Sequence, residues 1–389
     1  MAIRFGVDQV ITQNPIWKKE RIGFLTNDAA QTHLGITSRK ALISAGFNIT
    51  ILFTPEHGID TNGADGVKMN NGKDPITDIP IISLYGDKFM PSETDLTNID
   101  LLLFDVPDAG TRFYTYLWSL TYFIEAAAKY NKKIIVLDRP NPLGGDFALA
   151  EGPYLDPSEA SFIGRFNIPV KHQTTLGELA KYFNTTQGWN ANLEVIKCEN
   201  WKRVQLFYDW NLPWVKTSPA IQSFEACLQY PGLCFFEATN ISVGRGTAYS
   251  FEWIGAEWFN LPALAMVWQN MLRDDLKIET MKLPINLNNH TIETKGIRIK
   301  VIDPYNYDSV LNGLLLLKII KDIHPQDFKW SNYATVVNPT GTNHLSLLLG
   351  IPNAEKLFNL PLQNWLQQIG KILRVEDWKK TITPYLLYS

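Results

Sequence analysis

Cysteine is scarce in this chain. Three residues among 389, Cys198, Cys227 and Cys234, are too few and too scattered for a disulfide framework or a cysteine-rich zinc site. An excess of charge of one sign is also lacking: 36 Lys and Arg against 39 Asp and Glu leave a formal net charge of -3, with no basic stripe. Neither nucleic acid nor an anionic membrane is therefore expected as a partner. No apolar run reaches transmembrane length, and the opening MAIRFGVDQVITQ lacks the basic-then-apolar order of a secretory leader. Taken as written the chain is expected in the cytoplasm, with a periplasmic or secreted location as the alternative if a leader was removed. GxSxG, a Cys-His signature, GxxxxGK and a strand-bound GxGxxG are all missing, which leaves serine or thiol hydrolysis and nucleotide-using transfer without support. The histidines are scattered without ligand spacing, so no metal is expected.

What the chain does have is a series of short apolar runs that break into charge. Leu101 to Phe104 is continuous and apolar, as in a strand buried on both faces, and it ends in Asp105, Pro107, Asp108, Gly110 and Arg112. Ile51 to Phe53 leads likewise into Pro55-Glu56-His57-Gly58, and Ile134 to Leu137 into Asp138-Arg139-Pro140-Asn141-Pro142. In parallel strands these acidic ends converge on one sheet edge, where open α/β sheets bind ligands.

The remaining patterns complete a β-α-β alternation. Strands are expected at 22–27, 48–53, 80–85 and 193–198, and helices at 37–45, 114–130 and 175–183, the last with a Thr-x-x-Glu capping box. The predicted fold is an α/β doubly wound, mostly parallel sheet with a second, smaller mixed α/β domain. The boundary is placed near Phe224, giving domains 1–224 and 225–389, the second closing a cleft over the first. Beyond it a strand at Leu233 to Phe236, a helix from Pro262 to about Leu272, a strand from Gly296 to Ile302 and a helix from Tyr307 to Ile323 are expected. The Gly-, Asn- and Asp-rich segment IDTNGADGVKMNNGKD should be a long exposed loop, a kind of segment that is disproportionately functional.

Several residues suit chemistry on a hydroxyl-rich ligand. Glu56 beside His57, held in a rigid turn, can serve as a general acid, or simply stabilise the loop. Asp108, Arg112, Tyr114 and Tyr116 combine a carboxylate, a guanidinium and phenols in one loop, which fits polar recognition or an internal ion pair. Glu237 and Arg245 in FEATNISVGRGT are either a second functional carboxylate with a cation or a structural pair. The aromatic run Trp201 to Trp214 could stack sugar rings or pack a core.

Read together, TPEHG at 54–58, YGDKFMPS at 85–92, DVPDAGTRFYTY at 105–116, VLDRPNPLGG at 136–145, EGP at 151–153, LGELA at 176–180 and FEATNISVGRGT at 236–247 resemble the NamZ-type exo-β-N-acetylmuramidases, long grouped as a domain of unknown function. The resemblance implies a Rossmann-like N-terminal domain and no cofactor. It further implies release of N-acetylmuramic acid from the non-reducing ends of peptidoglycan fragments. On that basis Glu56 is expected to be the catalytic acid, with Glu237 or Asp108 as the second carboxylate. Arg112, Arg139 and Arg245 are candidates for a lactyl carboxylate. Asp138, Asn141, Tyr114 and Asn240 are candidates for hydroxyl and acetamido groups, and His57 and Glu151 complete the expected binding set.

Overall fold

The structure is a computed structural model that describes residues 2–270, 276–287 and 290–389. The N-terminal half is built on a seven-stranded sheet: β1 (Ile22–Thr26), β2 (Ile49–Thr54), β3 (Gly72–Lys73), β4 (Pro80–Ser83), β5 (Leu101–Asp105), β6 (Lys133–Leu137) and β7 (Leu193–Ile196). The spatial order is β3-β4-β2-β1-β5-β6-β7, parallel throughout except for β3. Apolar runs become strands here because both faces are covered. Leu101 and Leu103 pack into one core with the helices Gly6–Gln13 and Ser38–Ser44. Leu102 and Phe104 pack into the other with the helices Tyr116–Lys129 and Leu176–Thr186. The chain leaves β1 in one direction and returns beside it as β5, so the topological switch point lies between these two strands.

The second half is smaller and mixed. A three-stranded antiparallel sheet, β8 (Trp253–Gly255), β9 (Leu276–Leu287) and β10 (His290–Val301), has the order β8-β10-β9. The helix Ser309–Ile323 runs against the helix Phe224–Leu233. The larger hydrophobic core extends from Phe104 and Trp118 through Phe235 to Trp365, so the halves share an interior.

Two local expectations fail for physical reasons, and a third is met by a longer element. Leu233 to Phe236 is not a strand: it ends the helix Phe224–Leu233 and begins a 3-10 turn, Cys234–Ala238. The whole stretch is buried, and a short apolar run without periodicity fits either state until packing decides. The strand at 296–302 is the end of a twelve-residue strand paired to β9, which the sequence reading did not foresee. The loop at 59–74 is not simply exposed, because Thr61 and Asp74 are buried within it. The helix predicted from Pro262 spans Leu261–Gln269, and its expected end at Leu272 lies outside the described residues.

Candidate active site

Glu56 stands just past the end of β2, 4% exposed. Its carboxylate is fixed at both oxygens: Gly66 N donates to Oε1 at 2.8 Å and the Thr115 hydroxyl to Oε2 at 2.7 Å. Thr115 occupies the N-cap of the helix Tyr116–Lys129, yet its side chain makes no cap bond and reaches Glu56 instead. Gly66 has φ of +67°, and a Cβ there would meet Thr335 at 2.6 Å, so this close amide approach needs glycine. His57 also takes a left-handed backbone, φ 67°, a strained state of the kind that collects at functional sites. Its Nδ1 lies 2.8 Å from the Gly63 carbonyl, so Nδ1 carries the proton.

Across the cleft the second half contributes charge. Arg245 is paired through Nε to Glu237 and lies 3.4 Å from Asp65 Oδ2, an oxygen that also accepts from the Tyr333 hydroxyl. Burial opposes the charge on Asp65, but Arg245 and Tyr333 outweigh it and hold its pKa below the ordinary carboxylate value. Burial raises the Glu237 pKa against the opposing pull of Arg245, and Asp65 adds to the rise. Burial likewise pushes the Tyr85 phenol up, with Glu56 adding to it. His344 stacks on Tyr333 at 4.7 Å, and burial lowers its pKa to about 4, so it is neutral at neutral pH. Phe113, Tyr114, Tyr230 and Phe251 complete a cavity of about 170 Å³.

Among the described residues, one group has metal-ligand proximity: Glu56, His57 and Asp65, whose ligand atoms all lie within 4.8 Å of one another. Three of the four carboxylate oxygens are already engaged, Glu56 Oε1 and Oε2 by Gly66 and Thr115 and Asp65 Oδ2 by Tyr333 and Arg245, which suits proton and hydrogen-bond chemistry better than an open coordination sphere.

Of the residues expected from sequence, the cleft brings together Glu56, His57, Tyr114, Glu237 and Arg245. The others are elsewhere. Asp108 lies beside a neighbouring pocket, 3.3 Å from His172 Nε2. Arg112 is fully buried and donates to the carbonyls of Pro153, Ile168 and Leu348, so its fork is spent on main chain; burial lowers its pKa to about 9. Arg139 is paired with Asp105, 2.9 Å between Nη2 and Oδ2. Asp138 accepts from Thr175, Gly177 N and Tyr388, and burial raises its pKa to about 7. Asn141 stiffens its own turn through Leu143 N and Thr174 O. Glu151 receives Lys171 and the first amides of the helix Ser309–Ile323, which makes it a cap supplied from a distant segment. Asn240 exchanges hydrogen bonds with Asp327 and Lys329 main chain at the surface.

Asp65, Tyr85, Thr115, Tyr333 and His344 were missed by the sequence reading. Asp65 did carry a signal, since it sits in the loop picked out by its length. Tyr333 and His344 had none, because they meet the site only through the tertiary fold.

The chain resembles known proteins over its full length. Residues 22–225 match the family model described as exo-beta-N-acetylmuramidase NamZ, N-terminal, and residues 228–388 match its C-terminal counterpart. A peptidoglycan beta-N-acetylmuramidase NamZ from Bacillus subtilis is 36% identical, covering 99% of this chain and 91% of that protein. Two crystal structures of DUF1343 family proteins from Bacteroides fragilis superpose with TM-scores of 0.87 and 0.70, each 26% identical and covering 100% of this chain and 99% of theirs. The chain belongs to the NamZ family of exo-β-N-acetylmuramidases.

Proposed function

We propose that this protein is an exo-acting glycoside hydrolase. It removes N-acetylmuramic acid from the non-reducing ends of peptidoglycan-derived sugars, such as the disaccharide of N-acetylmuramic acid and N-acetylglucosamine. The observation that carries the reading is the Glu56 carboxyl group, buried at the cleft floor and oriented by Gly66 N and Thr115, with Asp65 within 4.8 Å. It sits in a chain related end to end to a peptidoglycan β-N-acetylmuramidase.

In this reading Glu56 gives its proton to the glycosidic oxygen as the C1–O bond breaks, then takes one from water to hydrolyse what remains. Asp65, kept ionised by Arg245, accepts the acetamido N–H and turns the acetamido oxygen toward C1. The close spacing supports such a retaining, substrate-assisted course. An inverting enzyme would leave about 6.5–9.5 Å between its carboxyl groups for a water. Glu237 acts through Arg245, and Arg245 is the one of the three candidate arginines that lines the cleft and can meet a lactyl carboxylate. Among the described residues no helix is long and apolar enough to cross a membrane.

The deciding experiment offers a chromogenic N-acetylmuramic acid glycoside alongside the N-acetylglucosamine analogue. Hydrolysis of the first and not the second is expected, with the β-anomer released first by NMR. Hydrolysis of neither would leave a sugar-binding protein without catalysis, and early α-anomer would overturn the retaining course.

A further inference from the structure

Gly66 is held from both halves of the chain. Its N–H donates to Glu56 Oε1 at 2.8 Å, and its carbonyl accepts from Val336 N, also at 2.8 Å. No side chain fits between these bonds, because a Cβ on Gly66 would meet Thr335 Cγ2 at 2.6 Å and Thr335 Cβ at 2.7 Å. Val336 belongs to a tight turn that is closed by its own main chain. Thr335 N donates to Asn338 O at 3.0 Å, Asn338 N returns to Thr335 O at 3.2 Å, and Thr335 Oγ1 accepts from Asn338 N at 3.1 Å. Tyr333 N to Gly341 O and Gly341 N to Asn338 O, each 2.9 Å, brace its base. The turn is thus stiff where it reaches Gly66.

A bond that served only to tie the halves together could fall anywhere along their shared hydrophobic interior. This one falls on the residue whose amide aims Glu56. The two carboxylate oxygens of Glu56 are consequently set from different directions: Oε2 by Thr115, at the start of the helix Tyr116–Lys129, and Oε1 by an amide whose own peptide is seated by the C-terminal half. Displacing a reacting group by about 1 Å can cost about 10²-fold in rate, so a main-chain contact outside the cavity lining can govern turnover.

We infer that the turn Thr335–Asn338 is a positioning element for the reaction: it seats Gly66, and Gly66 aims the Glu56 carboxyl group. The inference rests on the reading of Glu56 as the proton donor proposed above. The N-terminal half supplies the acid, and the C-terminal half sets its direction. Val336 contributes through its N–H alone, while its side chain, 37% exposed, is free to vary.

Val336→Pro tests this in the full chain. It deletes the N–H that Gly66 O accepts, and proline is favoured at the second position of a turn, so the turn itself should persist. With a chromogenic N-acetylmuramic acid glycoside, kcat should fall about fivefold and KM stay within about twofold. Gly66→Ala should lower kcat about 10²-fold. Adding Thr335→Gly, which clears the two atoms that a Cβ would strike, should recover about tenfold of that loss. The Gly66 amide gives a readout that needs no turnover. Asp65-Gly66 is the only Asp-Gly step in the sequence, so carbonyl-13C aspartate with 15N glycine selects its resonance by NMR. Glu56→Gln marks the shift caused by loss of the carboxylate acceptor, and Val336→Pro should move the same resonance in the same direction. An unmoved Gly66 resonance in Val336→Pro would overturn the inference. So would a loss carried by KM with kcat unchanged, or no recovery on adding Thr335→Gly. Should Gly66→Ala not fold, Val336→Pro decides alone. If the wild type releases no muramic acid, the function proposed above fails, and the Gly66 resonance still decides this inference.

Discussion

The two halves of one sheet edge have been put to opposite uses. Past β2, charged residues are turned outward into a cavity shared with the C-terminal half: Glu56 is held by Thr115, and Asp65 meets Tyr333 and Arg245 from the C-terminal half. Past β6, equally polar loops close on themselves, Asp138 on Thr175 and Tyr388, Arg139 on Asp105, and Asn141 on Thr174. A polar strand end therefore marks either a site or a brace. What separates them is whether an opposing segment leaves a gap.

The comparison breaks most severely at Glu56. Glu56→Gln should lower kcat for muramic acid release by about 10³-fold while leaving product affinity within a few-fold, measured by steady-state kinetics and calorimetry. Turnover near wild type would remove Glu56 from the chemistry. Asp65→Asn should cost about 10²-fold in kcat, and Asp65→Glu should retain more activity than Asp65→Asn but less than wild type, since the distance to the acetamido group changes. Arg245→Lys is expected to act more on recognition, raising KM about tenfold for a muramic acid glycoside, because an ammonium cannot replace a guanidinium fork shared between two carboxylates. An unchanged KM would assign the lactyl carboxylate to another group.

The smallest effect on catalysis should come from the braced side. Asp138→Asn is expected to leave kcat within about twofold and to alter stability instead. The folded-state pKa of Asp138 is raised to about 7 by burial, so the native protein holds a proton that the unfolded chain has released above about pH 4. Its contribution is thus fully present at the acid end and is lost as pH rises toward 7, by up to about 1.4 kcal/mol per pH unit. Urea unfolding of wild type at pH 5 and pH 7.5 should show that fall, and the Asn variant a smaller one. Identical pH slopes would contradict the assignment.

Much of the fold could be read along the chain because buried parallel strands announce themselves as apolar runs: β1, β2, β5 and β6 each lie within two residues of their expected limits. The elements that escaped are those whose state depends on a partner. β3 is two residues long and exists by pairing with β4, β9 depends on β10, and Cys234 to Ala238 forms a 3-10 turn whose Cys234, Phe235, Phe236 and Ala238 lie in the shared core. The site was half legible for the same reason. Glu56, Glu237 and Arg245 sit in marked loops, whereas Tyr333 and His344 lie in a stretch without local pattern. Arg112 looked like a ligand-binding cation, and its burial against three carbonyls is invisible without the fold.

The bond between Asp65 and Tyr333 joins residues 268 positions apart. Contacts so distant along the chain close late, after the loop entropy between them has been lost. The carboxylates proposed for catalysis are expected among the last features to reach their native arrangement, and catalytic recovery during refolding should lag behind the return of secondary structure and of tryptophan burial. In this protein activity reports on completed assembly of both halves rather than on the sheet alone.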